Sequence, residues 1–136
     1  MTASPHDLLH PGGWKRAAGY SNGVAASGRT LYLGGLVGWN AAQEFVSDDF
    51  VDQVAQCLRN IVAVLAEGGA GPQHLVRLTW YVTDKQLYLA RLADIGRVYR
   101  EILGRHYPAM AMVQVVALIE DRALVEIEAT AVVPLD

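Results

Sequence analysis

Between Val51 and Leu65 the apolar side chains Val51, Val54, Ala55, Leu58, Ile61, Val62 and Leu65 recur at three- and four-residue spacing. That period places them on one stripe of a helix, with Asp48 or Asp49 available to cap its start and Gly68-Gly69 to stop it. A second helix opens at Thr83-Asp84 and shows Leu92, Ile95, Tyr99, Ile102 and Leu103 on one side. It carries a mid-helix glycine, Gly96, at some cost, and ends near Gly104.

Period-two alternation marks the strands. Leu75 to Val82 is rich in β-branched and aromatic residues and reads as a strand through Leu78, Trp80 and Val82. Met112 to Val116 forms another, the Glu120-Asp121 region turns, and Leu124 to Val133 is the last strand, with Glu126 and Glu128 on one face. Upstream, Val24-Ala25 and Leu31-Tyr32-Leu33 flank Ser27-Gly28 and predict a hairpin. Gly34 and Gly35 end its second strand, where missing side chains admit a close neighbour. Residues 1–18, with Pro5, Pro11, Gly12 and Gly13, read as an extended leader.

The predicted order is ββαβαββ. Two helices that each bury one stripe against a sheet make a two-layer α+β sandwich, here one domain spanning residues 1–136. Val113, Val115, Val125 and Ile127 stand at alternate positions, so the far face of the sheet is expected to be apolar and buried against sister subunits.

Composition narrows the function. The chain of 136 residues is 52% apolar and 18% charged, with a formal net charge of −3 and eleven scattered Lys and Arg. No basic stripe exists to neutralise a phosphate backbone, which argues against nucleic acid as partner. The longest apolar runs, Ile61 to Ala66 and Met110 to Leu118, fall far short of the ~20 residues that span a bilayer. With no apolar signal core at the N-terminus, a cytoplasmic protein without membrane attachment is expected. The single cysteine, Cys57, excludes an intrachain disulfide and lies on the flank of the first helical stripe, where inert packing is the simpler role. The four histidines have no metal-ligand spacing: His6 and His10 are four apart, but Pro5 and Pro11 disfavour a helix there.

Four patterns together resemble the RidA proteins, also called YjgF or L-PSP proteins. They are Gly19-Tyr20-Ser21; Leu31-Tyr32-Leu33-Gly34-Gly35; Gln56 with Asn60 leading to Gly69-Ala70; and Pro108-Ala109 followed by Val125-Glu126-Ile127-Glu128-Ala129. The resemblance implies a chorismate-mutase-like fold and a barrel-like homotrimer whose small-molecule clefts are each lined by two chains. Its catalytic members hydrolyse enamines and imines to a 2-keto acid and ammonia without metal or organic cofactor. It assigns to Glu126 the orientation of the attacking water, to Gly35 backbone contacts with the substrate, and to Tyr20 the edge of the cleft.

In those members an arginine after Pro-Ala holds the substrate carboxylate; here Met110 follows Pro108-Ala109. A thioether cannot make the bidentate charged pair that fixes a carboxylate. Arg105 or His106, just before the cleft strand, are candidate replacement cations, although basic side chains also suit a helix end. Met110 and Met112 with Trp39 and Tyr107 suggest a softer pocket for an aromatic or extended ligand, though methionines also fill core gaps. The sequence thus leaves three functions open: an imine or enamine deaminase acting on an atypical substrate, a non-catalytic ligand-binding trimer, and an endoribonuclease or translation inhibitor. The acidic balance weighs against the last. Glu126 and Glu128 are equally readable as a solvated or subunit-bridging strand face.

Overall fold

In the computed structural model residues 3–135 are described; residues 1, 2 and 136, the ends of the expected domain and leader, lie outside them. The elements are β1 (Asp7–Leu9), β2 (Gly23–Ala25), β3 (Arg29–Val37), α1 (Phe50–Glu67), β4 (Leu75–Val82), α2 (Lys85–Leu89), α3 (Leu92–Leu103), β5 (Ala109–Gln114) and β6 (Val125–Val133), with a 3-10 turn at Pro72–His74.

The main sheet runs β3-β6-β4-β5. Strand β6 pairs antiparallel with β3 and β4, and β4 pairs parallel with β5. Helix α1 begins as its sequence predicts: Asp49 caps it by accepting from the Asp52 N–H at 3.0 Å. Val54, Leu58, Ile61 and Leu65 bury completely against Leu78, Val125 and Ile127. Helix α3 adds Ile95, Val98, Tyr99 and Leu103 to the same core. The layers are therefore helices on one sheet face, as expected.

Three expectations need correction. The hairpin between the first two predicted strands does not form: β2 pairs with β1, and β3 pairs with β6. A short turn signal favours strand reversal, but β6 offers β3 a seven-pair ladder that the three-residue β2 cannot match. The leader accordingly contains β1, and just after it Ser21 bridges Ala109 at the outer edge of β5, its N–H donating to Pro108 O at 3.0 Å. The second predicted helix is two, α2 and α3, interrupted at Ala90-Arg91.

The third correction concerns the far sheet face. Val125 and Ile127 point toward the helices, not away from them. Alternation fixes that two sets face opposite ways but not which set meets the helices. The open face carries instead Glu126, Glu128 and Thr130 on β6, Thr79 and Tyr81 on β4, and Tyr32 on β3. Val113, in register with Tyr81 and partly exposed, does lie there as expected, so the face is polar and aromatic with an apolar residue on its edge strand.

Candidate functional site

On the open face, the ladder between β3 and β6 breaks around the two glycines. Leu33 pairs with Ala129 and Leu36 with Ile127, so Gly34 and Gly35 together oppose the single residue Glu128. This is a β-bulge, which takes backbone out of ladder register and bends the strand. The Glu126 carboxylate lies over Gly35: a Cβ built there would stand 2.2 Å from Glu126 Oε2 and 2.8 Å from its Cδ. Only glycine fits without displacing the carboxylate. Beside it, Tyr81 OH donates to Glu128 Oε1 at 2.8 Å, and this hydrogen bond raises the phenol pKa.

Helix α1 fixes the exit of β3 from behind. Asn60 donates through Nδ2 to Val37 O at 3.1 Å and to Trp39 O at 2.8 Å, and Gln56 Nε2 donates to Asn60 Oδ1 at 2.9 Å. The Gln56 and Asn60 pattern is therefore a clamp on the strand that carries Gly35. Buried Gln53 performs the same service for β6: it donates to Ser47 O and Arg122 O and accepts from the Leu124 N–H, each near 3 Å. Cys57 is buried and donates weakly to Leu36 O at 3.4 Å. Desolvation, with Glu126 nearby, pushes its thiol pKa far up, so the inert role stands.

Met110 and Met112 occupy the helix side of the sheet, paired in register with Leu78 and Trp80. They line a cavity of about 210 Å³ with Trp80, Tyr88, Tyr99 and Tyr107. Tyr99 and Tyr107 stack at 5.2 Å between centroids, and Tyr99 OH donates to His106 O. Trp39, expected among them, packs instead against Phe45 at 5.7 Å, beyond the far edge strand β3. Its position in sequence gave no sign of this, because the loop after β3 folds over α1: a Cβ on Gly38 would fall 2.8 Å from Gln53.

Tyr20, Arg105 and Tyr107 do come together. With Arg16, Leu8, Leu9 and Gly19 they line a larger open cavity of about 510 Å³ between the leader and the end of α3. His106 lies next to it, with burial holding its pKa below the usual range. Tyr107 and Gly19 wall this cavity and the methionine cavity alike.

The expected site residues thus divide within one chain. Glu126 and Gly35 lie on the open face near β3. Met110, Tyr107, Arg105 and Tyr20 lie around β5, on the helix side or at the leader. Strands β6 and β5 are two strand spacings apart, roughly 10 Å, and Met110 faces the opposite way from Glu126. Among the described residues no three His, Cys, Asp or Glu side chains are placed to hold a metal ion, and no helix is long and apolar enough to cross a membrane.

Comparison with known proteins agrees with this architecture. Residues 14–133 match the Endoribonuclease L-PSP family. Protein DfrA of Myxococcus xanthus is 38% identical over 119 residues, covering 83% of this chain and 84% of its own. The human 2-iminobutanoate/2-iminopropanoate deaminase is 27% identical over 114 residues, covering 83% and 79%. Among solved structures, YyfB of Yersinia pestis, described as a protein of unknown function of the conserved Rid family, superimposes with a TM-score of 0.84 at 35% identity, covering 94% of this chain and 98% of that one.

Proposed function

The chain belongs to the Endoribonuclease L-PSP family, to which the RidA proteins belong, and from that premise we propose that it hydrolyses imines or enamines to a carbonyl compound and ammonia. The observation that carries the reading is the Glu126 carboxylate held against Gly35 at the bulge of β3. An enamine first tautomerises to its imine. Water polarised by Glu126 attacks the carbon of the protonated imine, the C=N electrons move to nitrogen to leave a neutral amine, and the carboxylate takes the water proton. Glu126 then gives that proton to the amine of the carbinolamine and takes up the hydroxyl proton as the C–N bond breaks, ammonia leaves and the C=O bond forms. Gly35, unencumbered by a side chain, lets the reacting carbon approach the carboxylate, and its backbone supplies polar contacts.

Substrate binding falls to Tyr20, Arg105, Tyr107 and Met110. Because Met110 faces away from Glu126 in one chain, the working cleft joins the Glu126 half of one copy to the Met110 half of another, in a homotrimer. With Met110 where a carboxylate clamp stands in deaminating relatives, the preferred imine carries an aromatic or extended apolar group. Met110 withdraws charge-assisted hydrogen bonds worth roughly 1.5–3 kcal/mol each from a small imino acid. The same residue supports a second reading, a trimer that binds such ligands without turning them over. The net charge of −3 weighs against ribonuclease activity.

The test is ammonia release from imines generated in place by an amino-acid oxidase. Phenylalanine-derived imine should be consumed faster than the alanine-derived one, and Glu126→Gln should lower the rate by about 10²–10⁴-fold. No acceleration of either substrate by the folded protein would leave the binding reading in its place.

A further inference from the structure

Helix α3 carries two arginines in different surroundings. Arg97 is held by carboxylates of its own helix, Asp94 at 3.4 Å and Glu101 at 3.7 Å. The guanidinium of Arg100 has no ion pair or hydrogen bond among the described residues. It is exposed to water and lines, with Gly96, the mouth of the methionine cavity between α3 and the sheet. The two residues are one helical turn apart, and helical side chains lean toward the N-terminal end of their helix, so Arg100 reaches back over Gly96. The approach is close: a Cβ at Gly96 would stand 3.1 Å from Arg100 Nη1. Nothing in the backbone requires glycine there, since its φ is not positive and a helix interior favours alanine. What the missing side chain leaves is room for the guanidinium against the cavity wall.

From this placement we propose that Arg100, folded over Gly96, binds the carboxylate of a 2-imino or 2-keto acid whose single aromatic ring occupies the cavity between α3 and β4–β5. The lining suits a flat ring: Met110 and Met112 adapt to aromatic faces, and Tyr88 and Tyr107 add apolar area. Size agrees, since an apolar cavity of roughly 150 Å³ already holds benzene and this one measures about 210 Å³. A carboxylate matches the planar fork of one guanidinium in both charge and geometry. Because Arg100 stands in solvent, the anion keeps part of its hydration and avoids the cost of deep burial. Arg105, expected to replace the missing clamp, lines the leader cavity and not this one. The carbon next to the carboxylate is the imine carbon, so the ring points inward while the reacting centre stays at the mouth, open to the Glu126 of a second copy in the shared cleft. The proposal deepens the hydrolytic reading, on which it rests only for the occupant being substrate or product; binding itself needs no turnover.

The experiment titrates the full-length protein, by calorimetry, with 3-phenylpropionate, a one-ring carboxylate that offers no bond to hydrolyse. Its uncharged counterpart is 3-phenylpropionamide, and its ringless counterpart is propionate. The acid should bind saturably, and each counterpart at least about tenfold more weakly. Arg100→Gln should weaken the acid by about tenfold, the low end for a charge-assisted pair that water can reach. The same variant should leave the amide within about twofold. Arg100→Lys should recover only part of the loss, since an ammonium keeps the charge but not the fork. Arg59→Gln, which removes an equal charge from α1, should stay within about twofold of the parent and so separates a local pair from the general field. Gly96→Leu, placed under the guanidinium and facing the cavity, should weaken acid and amide alike by at least about tenfold. Binding of 3-phenylpropionate without turnover of any imine would sink the hydrolytic reading alone. An acid that does not saturate, binds no tighter than its amide, or binds Arg100→Gln as it binds the parent overturns the carboxylate site, whether or not imines are hydrolysed.

Discussion

Glu126 and Gly35 are bound to one another by exclusion: the carboxylate occupies the space that any side chain at Gly35 would need, with Oε2 2.2 Å from the Cβ position. Gly35→Ala should therefore swing Glu126 out of place and depress imine hydrolysis nearly as far as Glu126→Gln does. The fold should survive, because the bulge already lies outside the regular ladder. Paired rate and melting measurements decide it; an active Gly35→Ala protein would show that the carboxylate position is not needed.

Splitting of the site across two sheet faces predicts self-association. Tyr32 on the open face is 83% exposed, and Val116 and Ile119 in the loop after β5 are 105% and 96% exposed. These large side chains stand in solvent at both edges of the sheet, on β3 and after β5, where a sister copy would cover them. Light scattering should give three times the 14.8 kDa of one chain. A monomer at micromolar concentration would remove the shared cleft.

Acid should weaken the fold through His74. Its Nδ1 accepts from the Gly71 N–H at 3.0 Å, so the bond requires that nitrogen unprotonated. Burial, followed by the neighbouring His6 and His106, holds its pKa below the ordinary histidine range. The unfolded chain therefore takes up the proton first, near pH 6.5. Stability is full above that pH and declines as pH falls toward the depressed folded value. Melting temperatures at pH 7.5 and 5.5 should differ less in His74→Asn, which keeps an acceptor without titrating, than in the parent protein. Equal pH dependence would assign the effect elsewhere.

Met110→Arg restores the Pro-Ala-Arg pattern but adds a cation to a cavity that Arg100 already borders. Without an anion the variant should melt lower, since a partly buried guanidinium lacks a partner. Pyruvate should restore stability, by about 2.7 kcal/mol when present at 100 times its dissociation constant. A melting curve indifferent to pyruvate would mean that the cavity has been reshaped around the thioether.

Much of this protein is legible in its sequence because the signals are local. The spacing from Val51 to Leu65, the Asp49 cap and the Gly68-Gly69 stop specify α1, and the alternation Val125 to Ala131 specifies β6. Glu126 and Gly35 were legible as a pair only through family resemblance; nothing in their spacing of ninety-one positions brings them together.

Tertiary structure decided the rest, since strand patterning states that two faces differ but not which partner each strand takes. The ladder with β6 drew β3 away from β2, gave β1 to β2, and turned Val125 and Ile127 toward the helices. The same choice put Met110 and Glu126 on opposite faces. The cavity lined by Trp80, Met110 and Met112 also arises only when α3 settles on β4 and β5. Local chemistry determined the elements, and competition among non-local contacts, each with its own closure entropy, determined which surfaces they share.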